Sequence, residues 1–330
     1  MKGLRWLGIL LAAGLGLALA GCDSGAPPVK PAGGLTTIRF VTDWKAQAEH
    51  GGLYQALALG LYKKHGLDVR IIEGGPSVNV PQMLAGGAAD FGIGSNAFIP
   101  LNLAREHAGI KAVMAVFQKD PQVLITHPRP DVKSIADMKG KPIMISDAST
   151  AAFWPWLRAK FGFSDSQIRK YSFSLAPFVS DPKAIQEGYL SSEPYTVETT
   201  AGFTPQIFLL ADNGYPGYAN MVLVPQTWID QNPRAVQAFV DATREGWESY
   251  LNGDPSAANA IIKRDNPEMR DDVIAQAREK LKRYGIVGAD IGVMTDARWQ
   301  AFFEAMRDVG VYDAGLDWRA AFDTRFVRGK

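Results

Sequence analysis

From Thr36 to Gln118 the chain switches repeatedly between short β-favouring runs and apolar residues at helical spacing. Ile38-Arg39-Phe40-Val41, Leu67 to Ile72, Asp90 to Gly94 and Lys111 to Phe117 read as strands. Leu53 to Lys64, and a shorter stretch through Met83-Leu84-Ala85, read as helices. Strands and helices alternating over short links predict a parallel-rich sheet. In such sheets ligands settle outside the carboxyl ends of the strands. The strand ends here are small or polar: Thr42-Asp43, Gly74-Gly75-Pro76-Ser77 and Gly94-Ser95-Asn96. Together they describe one polar rim beside helix N-termini whose N–H groups lack intrahelical partners. Ser77, Asn79, Ser95 and Asn96 are candidate ligand contacts, and Ser and Asn are equally ordinary helix N-caps.

The first strand-to-helix crossing, Thr42 to Tyr54, concentrates Trp44, His50, the Gly51-Gly52 pair and Tyr54. This crossing is expected to floor a site, with Trp44 and Tyr54 as apolar walls. Glycines let backbone approach closely where a side chain would intrude. The competing reading makes Trp44 core and His50 a surface cap.

Pro121 to Thr126 is a further strand and the passage into a second lobe. There, Lys141 to Ser146 reads as a strand, and Asp147 to Thr150 starts a helix carrying Phe153, Trp154 and Trp156. Lys170 to Ser174 and Tyr189 to Ser192 read as short strands, with a helix from Asp181 to Gly188 between them. Gln206 to Ala211 is a last strand, and Ala219 to Val224 crosses back. From Thr227 the spacing is helical, and Phe239, Trp247, Trp299, Phe302 and Phe303 are expected in the core.

Residues 1–22 have a basic start (Lys2, Arg5), an apolar stretch short for a membrane span, then small residues, as an export signal does. Leu19-Ala20-Gly21-Cys22 resembles a bacterial lipoprotein cleavage box, which implies lipidation of Cys22, with Asp23 after it implying retention at the inner membrane. Residues 23–35, rich in Gly, Pro and Ala, read as a flexible tether. The expected location is the periplasmic face of the inner membrane, with membrane contact through the lipid alone. Cys22 is the only cysteine, which excludes an internal disulfide and a cysteine metal cluster. His50, His65, His107 and His127 lack metal-ligand spacing, and no nucleophile–base motif is present. Against 35 basic residues stand 34 acidic ones without a basic run, which argues against nucleic acid. Neither a cofactor, a metal nor a catalytic residue is expected.

Phe40-Val41-Thr42-Asp43-Trp44, His50-Gly51-Gly52-Leu53-Tyr54, Gly66-Leu67-Asp68-Val69 and Ala88-Ala89-Asp90-Phe91-Gly92-Ile93 resemble one family signature. It is that of ABC-importer substrate-binding proteins for nitrate, sulfonates, taurine and thiamine pyrimidine precursors, nearest to the last branch. The likeness covers most of residues 36–320. It implies an α/β fold: a two-lobed periplasmic-binding-protein-like clamshell of type II, with parallel-rich sheets flanked by helices. Residues 36–125 and 220–330 would form lobe one, and 126–219 lobe two. The implied function is capture of a small heterocycle between the lobes and its delivery, by a monomer, to a permease with its ATPase.

In the pyrimidine branch the ring is held by aromatic stacking and by a carboxylate from the second lobe. Trp44 matches the aromatic and His50 the branch histidine. Glu193 or Glu198 would supply the carboxylate, with Tyr195 beside them. The branch places Pro and Asn between the Trp and the His, where this chain has Lys45 to Glu49. Nitrate, taurine or alkanesulfonates are the alternative ligands. A pyrimidine-precursor synthase, which in this fold uses a cysteine-rich iron site, and a lipoprotein scaffold or sensor are the alternative functions.

Overall fold

The computed structural model describes residues 34–75 and 77–327. The expected signal peptide, the Cys22 lipidation site and the tether up to residue 33 lie outside the described residues. In chain order, the first group is β1 (Thr36–Val41), α1 (Gly51–Ala58), α2 (Leu61–Lys64), β2 (Leu67–Ile72), α3 (Val80–Ala85), β3 (Phe91–Asn96), α4 (Phe98–Arg105) and β4 (Ile110–Phe117). A contiguous second group follows: β5 (Gln122–Thr126), β6 (Ile143–Ile145), α5 (Asp147–Thr150), α6 (Trp154–Phe161), β7 (Ile168–Lys170), α7 (Ala176–Ser180), β8 (Ile185–Tyr189), α8 (Glu193–Ala201) and β9 (Gln206–Leu209). Then come β10 (Ala219–Pro225), α9 (Gln226–Gln231), α10 (Pro233–Asn252), α11 (Ser256–Asp265), α12 (Asp271–Arg283) and α13 (Asp296–Asp308).

These strands build two five-stranded sheets, β2-β1-β3-β10-β4 and β7-β6-β8-β5-β9. In each, one strand opposes the rest: β10 is antiparallel to β3 and β4, and β5 is antiparallel to β8 and β9. These two are the strands that carry the chain into the second sheet and back. The sheets are the cores of two lobes of an α/β clamshell. β4 is the last strand of its sheet yet is buried along almost its whole length, because bridges from Ala112 to Phe322 and from Ala115 to Gly292 cover its outer edge.

Several elements depart from the sequence pattern. β5 is hydrogen-bonded within the second sheet, so the crossover falls in Gln118–Pro121 rather than after residue 125. Asp181 to Gly188 is not a helix. Asp181 instead closes a turn, accepting from Lys183 N at 2.8 Å, and Ile185–Tyr189 is the middle strand of its sheet. Gln186 and Glu187 are buried there, and two polar residues in a central strand hide its apolar signature. The strand expected over Tyr189–Ser192 ends at Tyr189. The helix expected over Leu53–Lys64 breaks at Gly60, whose φ of +68° suits glycine.

The Gly51-Gly52 pair admits a helix, not a ligand. A Cβ on Gly51 would lie 2.1 Å from the Tyr250 ring, and one on Gly52 2.1 Å from Trp247. From the other side, a Cβ on Gly246 would lie 2.2 Å from the Gly52 carbonyl oxygen. α1 and α10 thus cross backbone to backbone, and the large aromatics of α10 fold over the N-terminal glycines of α1.

Arg298 on α13 ties the two crossings between the lobes. Its Nε donates to Pro216 O at 3.1 Å, and its Nη2 to Gly217 O at 3.1 Å and to Gln118 O. The guanidinium lies 4.2 Å above the Tyr218 ring. Asp120, in the first crossing, is 3% exposed and accepts from Gln122 N at 3.0 Å. Burial pushes its carboxyl up to about 7, against that bond and the nearby Arg298.

An unfolded aspartate titrates near ~3.9. The folded protein therefore holds the Asp120 proton between about pH 4 and 7, where the unfolded chain has lost it. Stability from this group is complete below about pH 4 and is lost as pH rises through about 7, on the order of 4 kcal/mol in all. Asp120→Asn should flatten the fall in urea-unfolding free energy across that window. Profiles that run parallel for variant and wild type would refute a neutral buried Asp120.

Candidate functional site

The loops after β1 and β2 are laced together. Thr42 Oγ1 donates to Trp44 O at 2.8 Å and accepts from Gly74 N at 2.9 Å, while Glu73 Oε1 accepts from Ala46 N at 2.9 Å. This lacing holds Asp43 at the strand end, where its carboxylate accepts from Ser95 Oγ at 2.5 Å and from His50 Nε2 at 3.1 Å. Burial alone would raise the Asp43 carboxyl. The bonds from His50 and Ser95 outweigh it and hold the group below the usual carboxylate range. Asp43 still keeps 26% of its side chain exposed, whereas His50 is buried with its Nδ1 unpartnered.

Of the candidates on this rim, His50 and Ser95 meet at Asp43, and Trp44 stands beside it, 43% exposed. The others are placed differently. Asn79 caps α3 by accepting from Gln82 N at 3.0 Å, and Asn96 Oδ1 accepts from Phe98 N at 3.1 Å at the start of α4. Ser77 lies exposed in the β2–α3 loop. Tyr54 is in the core of α1, fully buried, and its hydroxyl has no partner.

The second lobe answers with carboxylates. Glu193 opens α8 beside Pro194, favoured there by the fixed φ of proline and by the helix dipole. Its Oε2 accepts from Tyr189 N at 2.7 Å and its Oε1 from Tyr171 Oη at 3.4 Å. Glu187 is buried under the Ser146 and Ser149 hydroxyls. Burial raises both carboxyls above their usual range; hydrogen bonds oppose this, and the neighbouring charges of Glu193 on Glu187 and of Glu49 on Glu193 reinforce it. The Tyr189 phenol is pushed well up by burial and by the fields of Asp120, Glu49, Asp43 and Glu193. Tyr189 therefore stands where the acidic groups of both lobes converge, as a neutral donor.

The lobes touch nearby. Ser191 Oγ donates to buried Glu49, Asn220 Nδ2 donates to Glu49 O at 2.6 Å, and Gln276 Nε2 donates to Ser191 O at 2.6 Å. Tyr195 Oη donates to Asp272 Oδ2 at 2.7 Å, tying α8 to α12. Tyr195 borders a cavity of about 220 Å³ between the lobes, shared with Glu49, Ser191 and Gln276. Glu198 shares an outer groove with Lys280 and Arg283, away from the acidic cluster.

Among the described residues, neither Asp43, Glu187 nor Glu193 is paired with an Arg or Lys. Lys45, adjacent in sequence to the rim, is instead bonded to Glu268 at 2.9 Å. Chemically, the arrangement offers acceptors and neutral hydroxyls. It suits a ligand with several N–H donors and disfavours an anion, which would meet desolvated like charge. Sequence reasoning missed Asp43, Glu49, Glu187, Tyr189 and Asn220. Only Asp43 carried a usable signal, an acid directly after a strand that faces a serine at the next strand end.

Among the described residues no helix is long and apolar enough to cross a membrane, and no group of His, Cys, Asp and Glu could hold a metal ion. The riboflavin-binding protein RibY of Chloroflexus aurantiacus is 24% identical over 92% of this chain and 89% of its own length. A formylaminopyrimidine-binding protein of Halalkalibacterium halodurans is 23% identical over 79% of each chain. In structure, the periplasmic aliphatic sulphonate binding protein SsuA of Escherichia coli superposes with a TM-score of 0.68 at 14% identity, over 89% of this chain and 94% of its own. The NMT1/THI5-like family matches residues 47–258, a span running from the His50 segment through the second sheet and into α11, and the chain belongs to that family.

Proposed function

We propose that this chain is the substrate-binding protein of an ABC-type importer, exported from the cytoplasm, and that its ligand is a flat nitrogen heterocycle bearing amino groups, an aminopyrimidine first. The observation that carries the ligand class is the set of acceptors at the strand ends of the two lobes, Asp43 bonded to His50 and Ser95, Glu193 bonded to Tyr189 N and Tyr171, and Glu187 buried beside them, none of the three paired with an Arg or Lys among the described residues. Ring amino groups donating to these carboxylates would form charge-assisted hydrogen bonds. The names of two relatives, riboflavin-binding and formylaminopyrimidine-binding, both describe flat nitrogen heterocycles and support this reading. The likeness to a sulphonate-binding protein concerns the fold.

Binding, with no chemical step on the ligand, is the activity. The lobes joined at Gln118–Pro121 and Leu210–Tyr218 close on the ligand, because only the closed form makes contacts from both. A permease and its ATPase receive the closed form, and Cys22 lipid anchors the protein outside the cytoplasm.

Calorimetry of the purified protein against aminopyrimidines, riboflavin, nitrate, taurine and alkanesulfonates is the test. An aminopyrimidine should bind, and Glu193→Ala should weaken it about ten- to a hundredfold, the loss of a charged hydrogen-bond partner. Trp44→Ala should weaken it too, through lost stacking. Tight binding of nitrate or a sulfonate with no response to heterocycles would overturn the ligand assignment.

A further inference from the structure

We propose that Phe173 contacts the ligand, closing over one face of its planar ring from the second lobe. This rests on the heterocycle reading above and names a residue that reading does not use. Two independent costs meet at Phe173. Its side chain is 75% exposed, against 43% for Trp44 and 49% for Leu59. Its backbone sits at φ +60°, the left-handed region, where a bulky L residue is a genuine outlier.

Among the described residues, the other non-glycine ones with positive φ are His107 and Asn220. His107 follows the last turn of α4, a usual place for a left-handed residue. Asn tolerates this region through its short polar side chain. Phe173 has neither reason, and its ring is not part of the core. Strain of this kind persists at binding sites, where the surrounding structure imposes it.

Position supplies the rest. Phe173 follows β7, at the carboxyl end of the strands β6, β7 and β8 that run parallel in the second sheet. Ligands of α/β sheets bind at that end. Its ring lies 5.2 Å from that of Tyr171, whose hydroxyl donates to Glu193. Trp44 occupies the corresponding place in the first lobe, next to Asp43. Each lobe thus presents one exposed aromatic beside its own carboxylate. A planar heteroaromatic gains stacking from such residues, and nitrate or a short aliphatic sulfonate gains none.

Phe173→Gly removes the ring and the backbone strain together. In the full chain, its Tm should equal or exceed that of the wild type, while aminopyrimidine affinity falls about fivefold or more. Phe173→Tyr should bind as the wild type does, and Phe173→Leu should resemble the glycine variant, because only a π face restores the contact. Wild-type affinity in Phe173→Gly, or in Phe173→Leu, would overturn the proposal. If the wild type binds only an anion from the panel, the heterocycle reading fails separately. Titrating that anion into Phe173→Gly then decides the residue's role: a weaker complex keeps Phe173 as a ligand contact, and an unchanged one removes it.

Discussion

Gly246→Val should leave almost no folded protein. The first atom added at residue 246 would stand 2.2 Å from the Gly52 carbonyl oxygen and 2.7 Å from the Ala56 Cβ, both on α1. Neither obstacle is the free end of a flexible side chain, so relief requires α1 and α10 to separate. Separation in turn lifts Trp247 and Tyr250 off Gly52 and Gly51 and opens voids around fully buried rings. Overpacking commonly costs about 1–3 kcal/mol where side chains can yield, and more where backbone must move. With a total stability of roughly 5–15 kcal/mol for an ordinary domain, valine here removes most of it. Gly246→Ala should be the milder case, still losing about 3 kcal/mol. Urea unfolding and far-ultraviolet dichroism are the measurements. An alanine variant within about 1 kcal/mol of wild type would show that the helix crossing is softer than its geometry.

Arg298→Met should destabilise the protein by about 3 kcal/mol or more while leaving the helical content intact. The methionine keeps the stem and loses the fork. Pro216 O, Gly217 O and Gln118 O each lose a donor, and an unsatisfied buried acceptor costs about 1–3 kcal/mol. The stack on Tyr218 is lost as well. Arg298→Lys should recover only part, because an ammonium is a point donor without the planar geometry that spans three carbonyls. Equal stability of the Lys variant and the wild type would mean that the fork is not what joins the crossings.

The α/β class and the alternation through the first lobe were legible because apolar periods and strand-end glycines are local signals. The two antiparallel strands were not legible. β5 and β10 read as ordinary strands, and only pairing across residues far apart in sequence sets their direction. β8 was hidden by Gln186 and Glu187, polar residues buried in a central strand where a local pattern expects apolar ones. On the rim, Trp44, His50 and Ser95 stood out as residue types, and two of them do gather at one group, Asp43. The glycine pair was read for the right property, close approach, with the wrong neighbour. Glu49, Tyr189 and Asn220 acquire their meaning only from contacts between residues far apart in sequence, which no local pattern encodes.

The place of β10 has a consequence for the order in which the molecule can be assembled. It lies between β3 and β4, so the first sheet is split into β2-β1-β3 and a lone β4 until residues 219–225 exist. The second sheet, by contrast, is built wholly from one uninterrupted stretch, β5 to β9. During N-to-C synthesis the inserted lobe can finish its sheet while the lobe that precedes it waits for its missing strand. Long-range pairing of this kind slows folding. A chain whose leading half cannot close early stays threadable for longer, which fits the export proposed above.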